Sequence, residues 1–85
     1  MKTLTSKFEY KGHILSLFST YWRQSPYHGV DENFEVQGIA GLTDDEVKKA
    51  VGYREDTEWY STQYSNYVRV DENTATYNTL LPYTD

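Results

Sequence analysis

Hydrophobic and polar positions along the chain change their period twice, to helical spacing at Leu42 and back to alternation beyond Gly52, and those changes divide the sequence into elements. Residues 3–10 alternate, with Phe8 and Tyr10 on one side, which predicts a strand. Lys11-Gly12 reads as a tight turn. His13 to Trp22 then predicts a long strand, rich in β-branched and aromatic residues. Alternation assigns Leu15, Leu17 and Tyr21 to one face and Ile14, Phe18 and Trp22 to the other. Arg23 to Asn33 reads as a loop around Pro26, Gly29, Asp31 and Glu32. Phe34 to Ile39 predicts a short strand in which Gly38 marks a bulge or the end.

At Leu42 the pattern switches to helical spacing. Thr43 and Glu46 have the spacing of a capping box, and Leu42 and Val47 occupy the staple positions. Asp44, Asp45 and Glu46 fall at the positive end of the helix dipole, and Lys48 and Lys49 fall toward the negative end. Gly52 is placed to stop the helix in a left-handed conformation. Beyond it, Gln63 to Val70 predicts a strand with Tyr64, Asn66, Val68 and Val70 alternating, although Tyr60, Tyr64 and Tyr67 also have the spacing of a helix over 57–67. Asp71-Glu72-Asn73 reads as a turn and Thr74 to Leu80 as a return strand. The expected fold is therefore α+β, one small domain over residues 1–85. It comprises an antiparallel sheet of four or five strands in the order β-β-β-α-β-β, with one helix at about residues 43–52 packed on one face.

One segment is echoed. Ser25-x-Tyr27-x-x-Val30-Asp31-Glu32-Asn33 recurs forty residues later as Ser65-x-Tyr67-x-x-Val70-Asp71-Glu72-Asn73. The simplest reading is two strand segments that each run into an acidic turn, since Asp and Asn suit turns. A duplicated hairpin and coincidence of composition are the alternatives.

Composition changes this picture in two ways. Nine Tyr, three Phe and two Trp stand in only 85 residues, so the core is expected to draw on rings more than on Leu and Ile. The absence of cysteine removes disulfides, thiol catalysis and thiolate metal sites together, which favours a cytoplasmic setting. Lys7, Glu9 and Lys11 interrupt any apolar leader, and no apolar run approaches a membrane span.

Charge adds a direction. The net charge is −5, and twelve of the thirteen acids follow residue 30, whereas Lys2, Lys7, Lys11 and Arg23 precede it. Such a surface repels nucleic acid and favours a protein partner with a basic surface. It also allows a homodimer in which the basic region of one copy meets the acidic region of another.

Candidate chemistry is sparse. His13 and His28 lack ligand spacing, and His28 beside Asp31 and Glu32 makes at most a weak metal site, so neither metal nor cofactor is expected. No nucleophile elbow, phosphate loop, dinucleotide glycine pattern or His-Glu-x-x-His occurs, and enzyme activity is not expected. Rings beside acids dominate the last third of the chain, at Tyr53, Glu55, Asp56, Glu58, Trp59, Tyr60, Tyr64, Tyr67, Asp71 and Glu72. Aromatic anchors in an acidic field suit an interface with a basic protein, and these ten residues are the predicted partner-binding site.

The expected function is a non-enzymatic protein-binding module, a small acidic inhibitor or modulator of a host protein. By analogy of composition alone it is similar to phage or mobile-element accessory proteins, including anti-defence and nucleic-acid mimics, which act in the cytoplasm of the host cell. The carboxylates available to a mimic are Glu32, Glu35, Asp44, Asp45, Glu46, Glu55, Asp56, Glu58, Asp71 and Glu72. The alternative is a single-stranded nucleic-acid or small-ligand domain. It would use the N-terminal face of Lys7, Lys11 and Arg23 interleaved with Phe8, Tyr10, Tyr21, Trp22 and Tyr27.

Overall fold

A computed structural model describes residues 2–25 and 29–82. Five strands and one helix follow in order: β1 (Thr3–Tyr10), β2 (His13–Ser25), β3 (Gly29–Gln37), α1 (Asp44–Val51), β4 (Gln63–Asp71) and β5 (Thr74–Leu81). The strands form one antiparallel sheet in the order β1-β2-β3-β5-β4, which leaves β1 and β4 as edges. The expected element order and the five-strand count are met, and residues 57–67 are not helical.

Two of the predicted boundaries are corrected. Residues 23–25 and 29–33, expected as loop, belong to β2 and β3 and pair from Arg23–Asp31 to Ser25–Gly29. Turn-favouring residues are tolerated there because each finds a cross-strand partner, and tertiary pairing overrides their local preference. Asp31, Glu32 and Asn33 therefore sit inside β3, whereas in the second half of the echo Glu72 and Asn73 form the β4–β5 turn. The two copies do not share a strand-into-turn context. Pro26, Tyr27 and His28 lie outside the described residues, as does Tyr83.

Bulges correct the face assignments. The β2–β3 register shifts between Ser19 and Tyr21, so Tyr21 stands opposite Asn33 and Trp22 opposite Glu32. One inserted residue turns every later side chain to the other face. Tyr21 thus joins Ile14 and Phe18, and Trp22 joins Leu15 and Leu17, the reverse of simple alternation. The same slip occurs in β4 between Ser65 and Val68, where Asn66 takes a φ of 60°. Tyr64 and Val68, expected on one face, consequently point to opposite faces.

The buried cluster is aliphatic: Leu15, Val36, Ile39, Leu42, Val47 and Ala75, with Phe8, Tyr10, Leu17, Ala50, Val51 and Tyr67 packed around it. Among the described residues, Tyr77 is the one ring buried with the core. The expectation of a core built mainly from rings is corrected. Tyrosine carries a hydroxyl that costs energy to bury without a partner, so most rings take the rim.

The helix ends form as their residues dictate. Thr43 Oγ1 accepts from the Glu46 amide at 3.2 Å while Glu46 accepts from the Thr43 amide at 2.9 Å. Gly52 closes the helix at φ 77°. Val47 is fully buried beside strand residues Leu15, Val36 and Ala75. Residues 38–42 are fastened to the β4–β5 turn, because the Gly38 and Ile39 amides both donate to the Asn73 carbonyl. Gly38 ends β3 at φ 93°, where a Cβ would lie 2.3 Å from the Ile14 carbonyl oxygen, so only glycine fits.

Candidate binding surface

The ten residues predicted from the sequence separate into three groups. Tyr53, Tyr64 and Tyr67 form a ring cluster: Tyr53 lies 5.5 Å from Tyr64, 5.9 Å from Tyr67 and 5.9 Å from Tyr77 between centroids. Lys48 Nζ sits over both Tyr53 and Tyr67, at 5.4 and 5.1 Å. Burial, followed by the hydrogen bond from its hydroxyl to Asp44 at 2.9 Å, pushes the Tyr67 phenol up to about 12. These three rings are half-buried and serve the rim of the core.

The second group is the loop between α1 and β4. Trp59 is 72% exposed and Tyr60 50% exposed, the two rings meeting edge to face at 5.7 Å. Nearby, Glu55 pairs with Lys48 at 3.2 Å, and that bond is the first cause of the raised Lys48 pKa. Asp56 and Glu58 form no ion pair among the described residues. The loop holds its shape through backbone bonds: Ser61 Oγ donates to the Glu58 carbonyl at 2.8 Å, and Gln63 donates to the Glu58 and Ser61 carbonyls.

Asp71 and Glu72 make the third group and stand at the far end of β4 from Gln63. Asp71 Oδ1 accepts from the Asn73 amide at 2.8 Å, a turn role. The Glu72 carbonyl accepts from Arg69 at 2.7 Å. The eight residue steps from Gln63 to Asp71 span about 26 Å of extended chain. The loop rings and the turn acids therefore do not form one patch.

The alternative N-terminal face is also divided. Phe8 pairs with Leu15 and Trp22 with Glu32, while Lys7 pairs with Ser16, Tyr21 with Asn33 and Arg23 with Asp31. Phe8, Tyr10 and Trp22 occupy the Leu15 face; Lys7, Tyr21 and Arg23 occupy the Ile14 face. The rings are thus split between the two faces, and among the described residues of this set Tyr21 alone shares the face of Lys7 and Arg23. Lys2 and Lys11 are engaged within the chain, with Glu35 at 2.7 Å and Glu46 at 3.0 Å.

Polar groups of the Ile14 face largely satisfy one another. The Asn78 amide donates to Asp31 Oδ1 at 2.7 Å, to Asn33 Oδ1 at 2.5 Å and to the Glu32 carbonyl at 3.3 Å. Gln37 donates to Glu35 at 2.6 Å, and the bonds from Lys2 and Gln37 hold the Glu35 carboxyl below its ordinary range. Among the described residues, no three His, Asp or Glu side chains gather as a metal site. No described helix is long and apolar enough to cross a membrane.

A feature that the sequence-based site omits lies on the Leu15 face. Trp22, Glu32, Thr79 and Tyr64 stand directly opposite one another across β2, β3, β5 and β4. On one side of this row Phe34 and Tyr77 are stacked, 5.4 Å apart at 25°. On the other side Val30 faces Leu81. Glu32, Thr79 and Tyr64 of this row floor a groove of about 320 Å³ that is also lined by Leu17, Val51 and Thr62, and Trp22 stands at the β2 end of the row. Burial pushes the Tyr77 phenol up, with Tyr64 and Glu32 adding to the effect. The signal was present in the sequence: Val30, Glu32, Phe34 and Val36 alternate, which places one acid inside an apolar stripe.

No family model matches the chain, and neither a characterised protein nor a solved structure shows significant similarity to it.

Proposed function

We propose that the chain is a non-enzymatic protein-binding module, a small acidic modulator that captures a partner with a basic surface. In this reading, α1 lies on the Leu15 face of the sheet and the loop after it presents the contact residues. The observation that supports it is the pair Trp59 and Tyr60, exposed, in edge-to-face contact and close in sequence to Asp56 and Glu58, whose carboxylates form no ion pair among the described residues. An exposed aromatic pair is unfavourable in water, and tryptophan and tyrosine are the residues that most often anchor interfaces. The acids around it raise the rate of encounter with a basic protein.

Asp71 and Glu72 have turn roles, and Tyr53, Tyr64 and Tyr67 have packing roles, so the contact surface is assigned to Asp56, Glu58, Trp59 and Tyr60. An inhibitor of host machinery, of viral or mobile-element type, is the form of this function that the acidic surface suits best. The test is capture from host lysate by immobilised protein. Trp59→Ala with Tyr60→Ala should reduce recovery of the captured partner at least tenfold, as loss of a hot spot does, while the far-ultraviolet spectrum stays unchanged. Undiminished capture by that folded variant would remove the loop from the interface.

A further inference from the structure

We infer that the groove over Glu32 is an anchor pocket for an arginine side chain of the protein partner. This deepens the protein-binding reading and rests on it. The register places one acid on the Leu15 face of the described strands, and that acid is Glu32. Among the described residues, nothing donates a hydrogen bond to its carboxylate and no cation pairs with it; Asn78 and Thr79 bond only its backbone carbonyl. Three of the other four strand acids contrast with it; the fourth, Glu9, pairs with Ile14 and so lies on the opposite face. Asp31 accepts from Asn78, Glu35 is paired with Lys2, and Asp71 accepts within its turn.

An unpaired carboxylate on an apolar floor selects its occupant by charge. Neighbouring strands lie about 4.8 Å apart, so Trp22 and Thr79 flank Glu32 at that spacing on either side. Tyr64 brings a further ring to the lining of the groove, and Trp22, 56% exposed, stands next to Glu32 on β2. The stacked pair Phe34–Tyr77 and the pair Val30–Leu81 make the two walls of the row. A ligand suited to this arrangement has an aliphatic stem for the walls, a cation for Glu32 and a flat surface for the rings. Arginine meets all three requirements. Its guanidinium is planar, stacks on aromatic faces and pairs with a carboxylate through two parallel bonds, whereas the compact, strongly hydrated lysine ammonium does neither.

The experiment is a titration of the folded full chain with Nα-acetyl-arginine N-methylamide, followed by two-dimensional amide and indole NMR. Capping leaves the guanidinium as the one charge. Saturable shifts are expected at Trp22, Glu32, Thr79 and Leu81, together with the Trp22 indole signal. Glu32→Gln, which keeps shape and removes charge, should weaken binding about tenfold, the equivalent of one charge-assisted hydrogen bond. Shifts spread evenly over the acidic surface, or an affinity unchanged in E32Q, would overturn the pocket. Capped lysine binding as well as capped arginine would overturn the choice of arginine. The probe does not touch Trp59 or Tyr60, so failure here leaves lysate capture by the loop intact. Conversely, loss of the loop reading leaves the arginine titration readable.

Discussion

The Glu46 carboxylate accepts from the Thr43 amide at 2.9 Å and from Lys11 Nζ at 3.0 Å. The backbone bond first, then the lysine, lowers its pKa to about 2 from an ordinary 4.5. A carboxyl whose folded pKa is depressed stabilises the fold above its unfolded pKa. That contribution is lost as pH falls through the folded value. Stability should therefore decline between about pH 4.5 and pH 2, with Glu35, also held down by Lys2, contributing in the same direction. Glu46→Gln retains an acceptor for the cap and removes the titration. Thermal midpoints measured from pH 6 to pH 2 should fall less steeply for E46Q than for the parent. Parallel curves would show that Glu46 does not carry the acid sensitivity. This residue was fully legible in the sequence, because a capping box depends on four consecutive positions. The lysine that completes it was not, since Lys11 arrives from a hairpin turn thirty-five residues away.

Elements built from local rules were read well; those whose geometry depends on a partner strand were not. The helix was found to within a residue from its caps. The β1–β2 turn was equally plain, and Lys11 and Gly12 adopt φ 50° and 81°, as a two-residue hairpin turn requires. The bulges near Thr20 and Asn66 left no mark in composition, yet each exchanged the two faces of its strand. That is why Trp22 and Glu32 were not seen as neighbours. Arg69 shows the same dependence on distant chain. Its guanidinium donates to the Leu42 carbonyl at 2.8 Å, the Ile39 carbonyl at 3.2 Å, the Glu72 carbonyl at 2.7 Å and Asp44 at 3.3 Å. One side chain thus ties the segment entering α1 to β4 and its turn. Arg69→Gln should lower unfolding free energy by about 2–3 kcal/mol in urea, as loss of charge-assisted bonds to part-buried carbonyls does. Arg69→Lys should restore less than half, because one ammonium cannot span four acceptors. Glu55→Gln, which breaks the exposed pair with Lys48 and leaves the lysine over Tyr53 and Tyr67, is the control and should leave the midpoint in place. Full rescue by lysine would mean that charge, not the fork, holds the helix entry.

Across the whole molecule, packing is uneven along the strands. Every member of the buried cluster that belongs to the sheet lies toward the Leu15 end: Leu15 in β2, Val36 in β3 and Ala75 in β5. Ile39, Leu42 and Val47 belong to the same buried cluster. Toward the other end the same strands carry Trp22, Val30, Glu32 and Leu81, which line or border the open groove. The ladder hydrogen bonds continue through both halves, but the apolar cover does not. Free energies of local opening follow buried contact more than hydrogen-bond count, so the two ends should open separately. Amide exchange followed by NMR at neutral pH should show residues 15–17, 35–37 and 75–77 protected on the order of tenfold or more beyond residues 22–24, 30–32 and 79–81. This gradient bears on recognition, because it places the proposed arginine pocket and the Trp59–Tyr60 loop at the end with less stability to lose. A surface that is ordered but thinly covered gains the most when a partner supplies the missing apolar contact. Binding energy would then appear partly as protection of amides around Glu32 and Thr79. Equal protection along β3 in the free chain would show that the sheet opens as one unit, and that the groove is already as rigid as the core before any partner arrives.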